Sequence, residues 1–239
     1  MVDHALSSYV DVNGMSLRTI RWEPVDGPEK PSIVLVHGLA SNAMLWQGAA
    51  TALAARGHRV IAIDQRGHGL SSKPESGYDM ATVTSDLAAV LVELTGMGFD
   101  RPVVAGQSWG GNVVIELAHR HPGLTRGVVA VDGGFLELQT HFPEWTKCES
   151  ALAPPNLLGT PAGRMREYMR SAHPDWPESG IDGQMGNFEV LADGTIRPWL
   201  SLDRHLQVLR GLWEHRPSQL FPDISLPVLF VPADHDQIG

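Results

Sequence analysis

The sequence contains one cysteine, Cys148, among 239 residues. An internal disulfide is therefore impossible, and the fold must be held by its core. With no His/Asp pattern of its own nearby, this thiol reads as a bystander and not as a nucleophile. No stretch of about 18 uninterrupted apolar residues occurs, so no helix is expected to span a membrane. Basic residues are also scarce: 18 Lys and Arg against 27 Asp and Glu give a formal charge of −9. Nucleic acids and anionic membranes select basic surfaces, so neither is expected as a partner. The opening MVDHALSSYV has neither a basic start nor an apolar run; no signal peptide is expected, and the cytoplasm is the expected compartment. What is present is a chain of ordinary globular composition, long enough to bury a sizeable core in one large domain. Its oligomeric state is not legible.

The order of apolar runs suggests an α/β organisation. Tyr9, Val10 and Val12, then Asn13-Gly14, then Leu17, Thr19, Ile20 and Trp22 read as a hairpin over residues 8–22, since Asn-Gly between alternating runs is a strong turn signal. Ser32–Val36 is continuously apolar, as a strand covered on both faces requires. A helix over 42–55, a strand over 58–63 and a helix over 79–96 follow, the last with Val83, Leu87, Val90, Leu91 and Leu94 on one face. Arg101–Ala105 and Gly127–Val131 read as strands, Asn112–His121 as a helix, and Pro227–Val231 as a final buried strand. Such alternation predicts a doubly wound, mostly parallel sheet with helices on both faces. From Gly133 to Arg197 the rhythm breaks at Pro143, Pro154, Pro155, Pro161, Pro174 and Pro177, while Trp145, Trp176 and Phe188 add large side chains. Residues 133–197 are read as an inserted cap, with residues 1–132 and 198–239 as the core. Phe188–Arg197 is read as a second hairpin, and Ser201 as the cap of a helix carrying Leu202, Leu206, Leu209 and Trp213.

The most informative stretch is Gly106-Gln107-Ser108-Trp109-Gly110. It matches G-x-S-x-G, in which a strand stops, a helix begins, and one serine hydroxyl is left on a strained turn. The pattern alone is weak. Here it follows a predicted strand and precedes a predicted helix, which is the context it needs. The polar clusters His37-Gly38, Asp64, Ser108 and Asp132 each stand at the carboxyl end of a predicted strand, where parallel sheets bind ligands.

With His37-Gly38, Asp64-Gln65-Arg66-Gly67-His68-Gly69, Gly106–Gly111 and Asp234-His235-Asp236 in this order, the whole chain resembles the α/β-hydrolase fold family, in its capped branch. The resemblance implies Ser108 as nucleophile. It implies an oxyanion hole from the backbone N–H groups of Trp109 and Leu39, with His37 and Gly38 lining the site. Asp64 and His68 would brace the neighbouring loop. The orienting acid is expected at Asp236, with Asp132 as the alternative one strand earlier and Asp234 as a turn residue. Triad order in this fold is Ser, acid, His, and no residue of this sequence matches the base. His205 and His235 are the nearest substitutes, each read more readily as an ordinary histidine. The last strand and helix of the family are also unmatched, so the 239-residue chain is expected to be a fragment with little activity by itself.

The function expected is hydrolysis of an ester, lactone or similar small acyl substrate through an acyl-enzyme, without metal or cofactor. A serine at 108 speaks against epoxide- and halide-opening relatives, which use an aspartate nucleophile. Two other readings stay open: a ligand-binding sensor on the same fold, and a carbon–carbon bond hydrolase or perhydrolase.

Overall fold

The computed structural model describes residues 5–24 and 30–233. The chain enters as a hairpin of β1 (Leu6–Val12) and β2 (Met15–Trp22). Asn13 and Gly14 take φ of 51° and 73°, the turn geometry that suits the right-handed twist of the flanking strands. Asn13 Nδ2 donates to Asp86 Oδ1 at 2.8 Å, and Arg66 pairs with the same carboxylate, tying the turn to the helix behind it.

The remaining strands are β3 (Lys30–Val36), β4 (His58–Ile63), β5 (Val103–Gln107), β6 (Gly127–Val131), β7 (Phe188–Val190), β8 (Ile196–Pro198) and β9 (Val228–Val231). The helices are α1 (Gln47–Ala54), α2 (Met80–Leu94), α3 (Trp109–Arg120), α4 (Leu138–His141), α5 (Trp145–Leu152), α6 (Ala162–Ala172), α7 (Glu178–Met185), α8 (Leu202–Glu214) and α9 (Pro217–Leu220). Seven strands form one sheet in the order β1-β2-β4-β3-β5-β6-β9, and β7 pairs with β8. β2 is antiparallel to both neighbours, and every pair from β4 to β9 is parallel.

Successive strand side chains leave opposite faces, and both faces of this sheet are covered. Val34 and Val36 meet α2 and α3 in one apolar cluster, while Ile33 and Leu35 meet α1 in another. This is why β3 has no polar alternation. The five apolar positions read on α2 are all buried, and Asp79 caps that helix by accepting from the Thr82 N–H.

Several boundaries differ from expectation for local reasons. Arg101 sits at φ 45°, outside extended geometry, so β5 starts at Val103 and runs to Gln107; α3 then begins at Trp109 without a linker. The helix expected from residue 42 opens as a 3₁₀ turn, Ala43–Trp46, whose Met44 N–H donates to the Asn42 side chain. Ser201 stands at the N-cap of α8 but makes no capping bond; Arg204 donates to its hydroxyl instead, at 3.1 Å.

Residues 133–197 are more regular than their prolines suggest, because Pro161 and Pro177 stand directly before α6 and α7, where a missing N–H removes no helical bond. The segment holds α4 to α7 and the β7–β8 hairpin, with a small apolar cluster of Met165, Met169, Ile181 and Ile196. Asn42 Nδ2 fastens α7 to the 3₁₀ turn, donating to Gly183 O at 2.7 Å. At the far side of the sheet β9 pairs with β6 alone among the described residues, and Leu229, Phe230 and Val231 are exposed.

If both sheet faces are packed in this way, truncations on α2 should divide by face. Leu91 is 1% exposed and Val92 54% exposed. Leu91→Ala is expected to destabilise by about 2–5 kcal/mol, and Val92→Ala by roughly 0.5 kcal/mol or less. Urea denaturation of both variants measures this, and equal effects would contradict the packing.

Candidate active site

The sheet order reverses between β3 and β5: from β3 the chain passes to β4 on one side and later to β5 on the other. The loops leaving β3 and β5 therefore diverge at one sheet edge, the place where open parallel sheets take ligands. Ser108 occupies the second of these loops, with φ 53° and ψ −120°. That backbone region costs a non-glycine residue on the order of 1–3 kcal/mol. Close backbone packing maintains it. A Cβ at Gly106 would lie 2.0 Å from Gly110 O, so no side chain fits beneath the turn. Ser108 N donates to Val131 O at 2.8 Å, and Gly111 N to Ser108 O at 2.8 Å. The half-buried hydroxyl makes no capping bond to α3 and has no hydrogen-bond partner among the described residues.

The loop after β3 closes on this turn. A Cβ at Gly38 would lie 2.6 Å from Gln107 Oε1 and 3.2 Å from Ser108 Cβ, so a side chain there would crowd the turn. The Leu39 N–H and the Trp109 N–H both lack an acceptor among the described residues. Two buried histidines brace the loop. His37 Nε2 accepts from Gln65 N at 3.0 Å, and its Nδ1 lies 2.7 Å from Gly38 O. Since a backbone N–H only donates, Nδ1 carries the ring proton and donates to the carbonyl. His68 repeats the arrangement, accepting from Ala40 N at 3.2 Å and donating to Arg66 O at 2.8 Å. Burial lowers His37 to about 4; burial, with His37 beside it, lowers His68 to about 3. Each ring nitrogen of the pair is engaged, so neither histidine is placed to take a proton from Ser108. Asp64 completes the brace, accepting from Ala43 N at 2.6 Å and Leu70 N at 2.9 Å.

A cleft of about 520 Å³ opens over Ser108, lined by Gly38, Leu39, Ser41, Leu45, Trp46, Gln107 and Val131 and, from residues 133–197, by Trp176, Gln184 and Asn187. Of the three aromatics noted in the segment, Trp176 alone lines it. Trp145 packs edge-on to Trp213 at 5.9 Å, and Phe188 packs against the cluster between α6 and α7. Asp132 is half-buried at the end of β6, with φ 47°, and its carboxylate has no partner among the described residues. The next residue, Gly133, touches Ser108: a Cβ there would lie 2.1 Å from Ser108 O. Asp234, His235 and Asp236 lie outside the described residues. His205 is buried on α8 and is not among the cleft residues; burial lowers it to about 4.

A family model described as the alpha/beta hydrolase fold matches residues 31–176, more than half of the sequence. The chain belongs to the α/β-hydrolase fold family. Similar members include the 2-(acetamidomethylene)succinate hydrolase of Mesorhizobium japonicum, 29% identical over 99% of this chain and 80% of that protein. Epoxide hydrolase A of Mycobacterium tuberculosis is 32% identical over 96% of this chain and 82% of its own. Among solved structures, an E-2-(acetamidomethylene)succinate hydrolase superposes with a TM-score of 0.77 at 25% identity, covering 95% of this chain and 80% of that one.

One supporting group of this α/β-hydrolase chain has no linear signal. Asn112 Oδ1 accepts from Gly134 N at 2.9 Å and Leu136 N at 3.3 Å, which fixes its amide and leaves Nδ2 as donor to Leu136 O and His215 Nδ1. His215 Nε2 then faces Glu116 Oε2 at 3.0 Å. Glu116 is desolvated, yet its bonds to His215 and Arg120 hold it at about 2. The chain thus pins the loop after Asp132 to α3 and the end of α8. Residues 112, 116 and 215 are too far apart in sequence for spacing to reveal this.

The two brace histidines set a pH dependence. Their folded values lie below the ordinary 6.5, so below that pH the unfolded chain binds protons that the folded protein refuses. Stability is complete above about 6.5 and falls as the pH drops towards 4. Thermal unfolding between pH 7 and 4.5 should show this decline, with both rings remaining Nδ1–H tautomers by ¹⁵N NMR. A His37 ring titrating near 6.5 would contradict the geometry.

Proposed function

We propose that this protein is a serine hydrolase that cleaves an ester, lactone or similar small acyl substrate through an acyl-enzyme. One observation carries the reading: the Ser108 hydroxyl, free of described partners, faces a cleft beside two N–H groups that lack acceptors. A base removes the Ser108 proton as Oγ attacks the carbonyl carbon. The carbonyl oxygen becomes an oxyanion that receives the Trp109 and Leu39 N–H groups, and the returning proton leaves with the alcohol. Water, deprotonated by the same base, then attacks the acyl carbon and frees Ser108. Losing one oxyanion donor in such a site costs roughly 10²–10³ in turnover.

No described histidine is among the residues that line the cleft, and His37, His68 and His215 have both ring nitrogens engaged, so the base is assigned to a histidine outside the described residues. Asp236 is the proposed acid. Asp132 is the alternative, favoured by its unpaired carboxylate next to Gly133. Residues 133–197 act as the cap, contributing Trp176, Gln184 and Asn187 to the cleft wall. Epoxide opening is not carried over from the M. tuberculosis relative. Attack of Ser108 Oγ on an epoxide carbon would leave an ether, which water does not cleave under these conditions, so the enzyme could not turn over. The succinate in the name of the M. japonicum relative is not carried over either.

A fluorophosphonate is expected to label Ser108 and no other serine, with Ser108→Ala abolishing both labelling and aryl-ester turnover. Slow or absent labelling would favour the sensor reading. The acids are separated by paired substitutions: Asp236→Asn should lower turnover by roughly 10⁴, as loss of the orienting carboxylate does elsewhere, while Asp132→Asn does much less. Reversed effects would move the acid to β6.

A further inference from the structure

Three side-chain amides, Asn42, Asn187 and Gln184, form a hydrogen-bonded chain that ends on the wall of the Ser108 cleft. Its direction is set by the backbone at its buried start. Asn42 Oδ1 accepts from Met44 N at 2.8 Å, and Asn42 Nδ2 donates to Gly183 O at 2.7 Å. A backbone N–H only donates and a backbone carbonyl only accepts, so this amide can sit only one way round. The second hydrogen of Asn42 Nδ2 goes to Asn187 Oδ1 at 2.5 Å. That bond turns Asn187 Nδ2 towards Gln184, where it donates to Oε1 at 3.1 Å.

The polarity therefore runs from Asn42 through Asn187 to Gln184, and the last amide has its oxygen engaged and its nitrogen to spare. Gln184 Nε2 has no acceptor among the described residues. Gln184 is half-buried and lines the cleft together with Asn187 and Ser108. The backbone that carries the chain is held as well: Asn187 N donates to Gln184 O at 3.1 Å, and Trp199 N donates to Asn187 O at 3.0 Å. A Cβ at Gly183 would lie 3.0 Å from Met44 O, and one at Gly186 3.1 Å from both polar atoms of the Asn42 amide. A side chain at either position would crowd the contact that starts the chain.

We infer that Gln184 is a specificity-determining residue: its Nε2 donates to a carbonyl-type oxygen on the part of the acyl substrate that does not react. The substrates favoured are acyl compounds with a second oxygen acceptor along the acyl chain. The inference rests on the reading of Ser108 as the reacting centre of this cleft.

The test measures binding by calorimetry at pH 7 in the Ser108→Ala protein, which cannot form an acyl-enzyme. The probes are phenyl 4-oxopentanoate, 5-oxohexanoate and 6-oxoheptanoate, which carry the oxo group at three reaches. Each is paired with the methyl-branched ester in which CH–CH3 replaces the ketone. At least one oxo ester is expected to bind about three-fold or more tightly than its branched partner, as one added hydrogen bond provides. Gln184→Glu keeps an oxygen for Asn187 Nδ2 and turns only the free donor into an acceptor, so the preference should vanish or reverse. Gln184→Met, which has no donor, should abolish it too. Ratios are taken within each protein, so an effect common to both esters cancels. Equal binding within all three pairs, no measurable binding of any ester, or a preference that survives either Gln184 substitution would overturn the inference. Failure of the catalytic reading shows separately, as absent fluorophosphonate labelling of the unsubstituted protein with the oxo-ester preference intact.

Discussion

At the end of β5, main chain presses on main chain with no side chain between, and much of the site follows from that contact. Gly106 runs beneath Gly110 O at a separation where a Cβ would meet the oxygen at 2.0 Å. The strand can turn directly into α3 only if one residue takes a positive φ, and that residue is Ser108. The turn puts the hydroxyl in front of the sheet edge and leaves the first N–H of α3 unused. The same close approach lets the β3 loop, through Gly38, lie against the serine. Replacing Gly106 would therefore displace Ser108 and both proposed oxyanion donors together.

A strained turn persists only where its surroundings over-determine it. The surroundings here are hydrogen bonds made by buried side chains. His37 and His68 spend both ring nitrogens on backbone partners, Asp64 accepts from two loop amides, and Asn112 holds the loop after β6. Trp109 stacks on His68 with ring centroids 5.4 Å apart, so the residue after Ser108 is fixed by an aromatic contact as well. Donors fixed before substrate arrives need no reorganisation during reaction, which is the physical basis of oxyanion stabilisation.

Much of the architecture was legible in the sequence because periodicity reports burial. The unbroken apolar run of β3 and the one-sided α2 predicted a sheet covered on both faces, and Asn13-Gly14 predicted the hairpin turn. Residues 133–197 were less so: prolines that read as interruptions stand at helix starts, and spacing does not distinguish the two. In the site, motif order brought Ser108, Trp109, Gly38 and Leu39 to one place. The partners of His37 and His68, the Asn112–His215–Glu116 chain and the cleft residues Trp46, Gln184 and Asn187 join positions up to 145 residues apart, a separation that carries no local pattern. Ser201 shows the converse: the residue type suited a helix cap, but Arg204 competes for its hydroxyl.

A cleft with two N–H groups that lack described acceptors and a serine without a described partner is suited to forming a covalent acyl intermediate from an ester. Rapid-quench mass spectrometry of the protein mixed with such an ester observes that intermediate directly. An acyl group should appear on the peptide containing Ser108 within the first turnover and disappear as substrate is exhausted. Steady ester cleavage with no adduct on that peptide, undiminished in Ser108→Ala, would contradict a covalent role for Ser108.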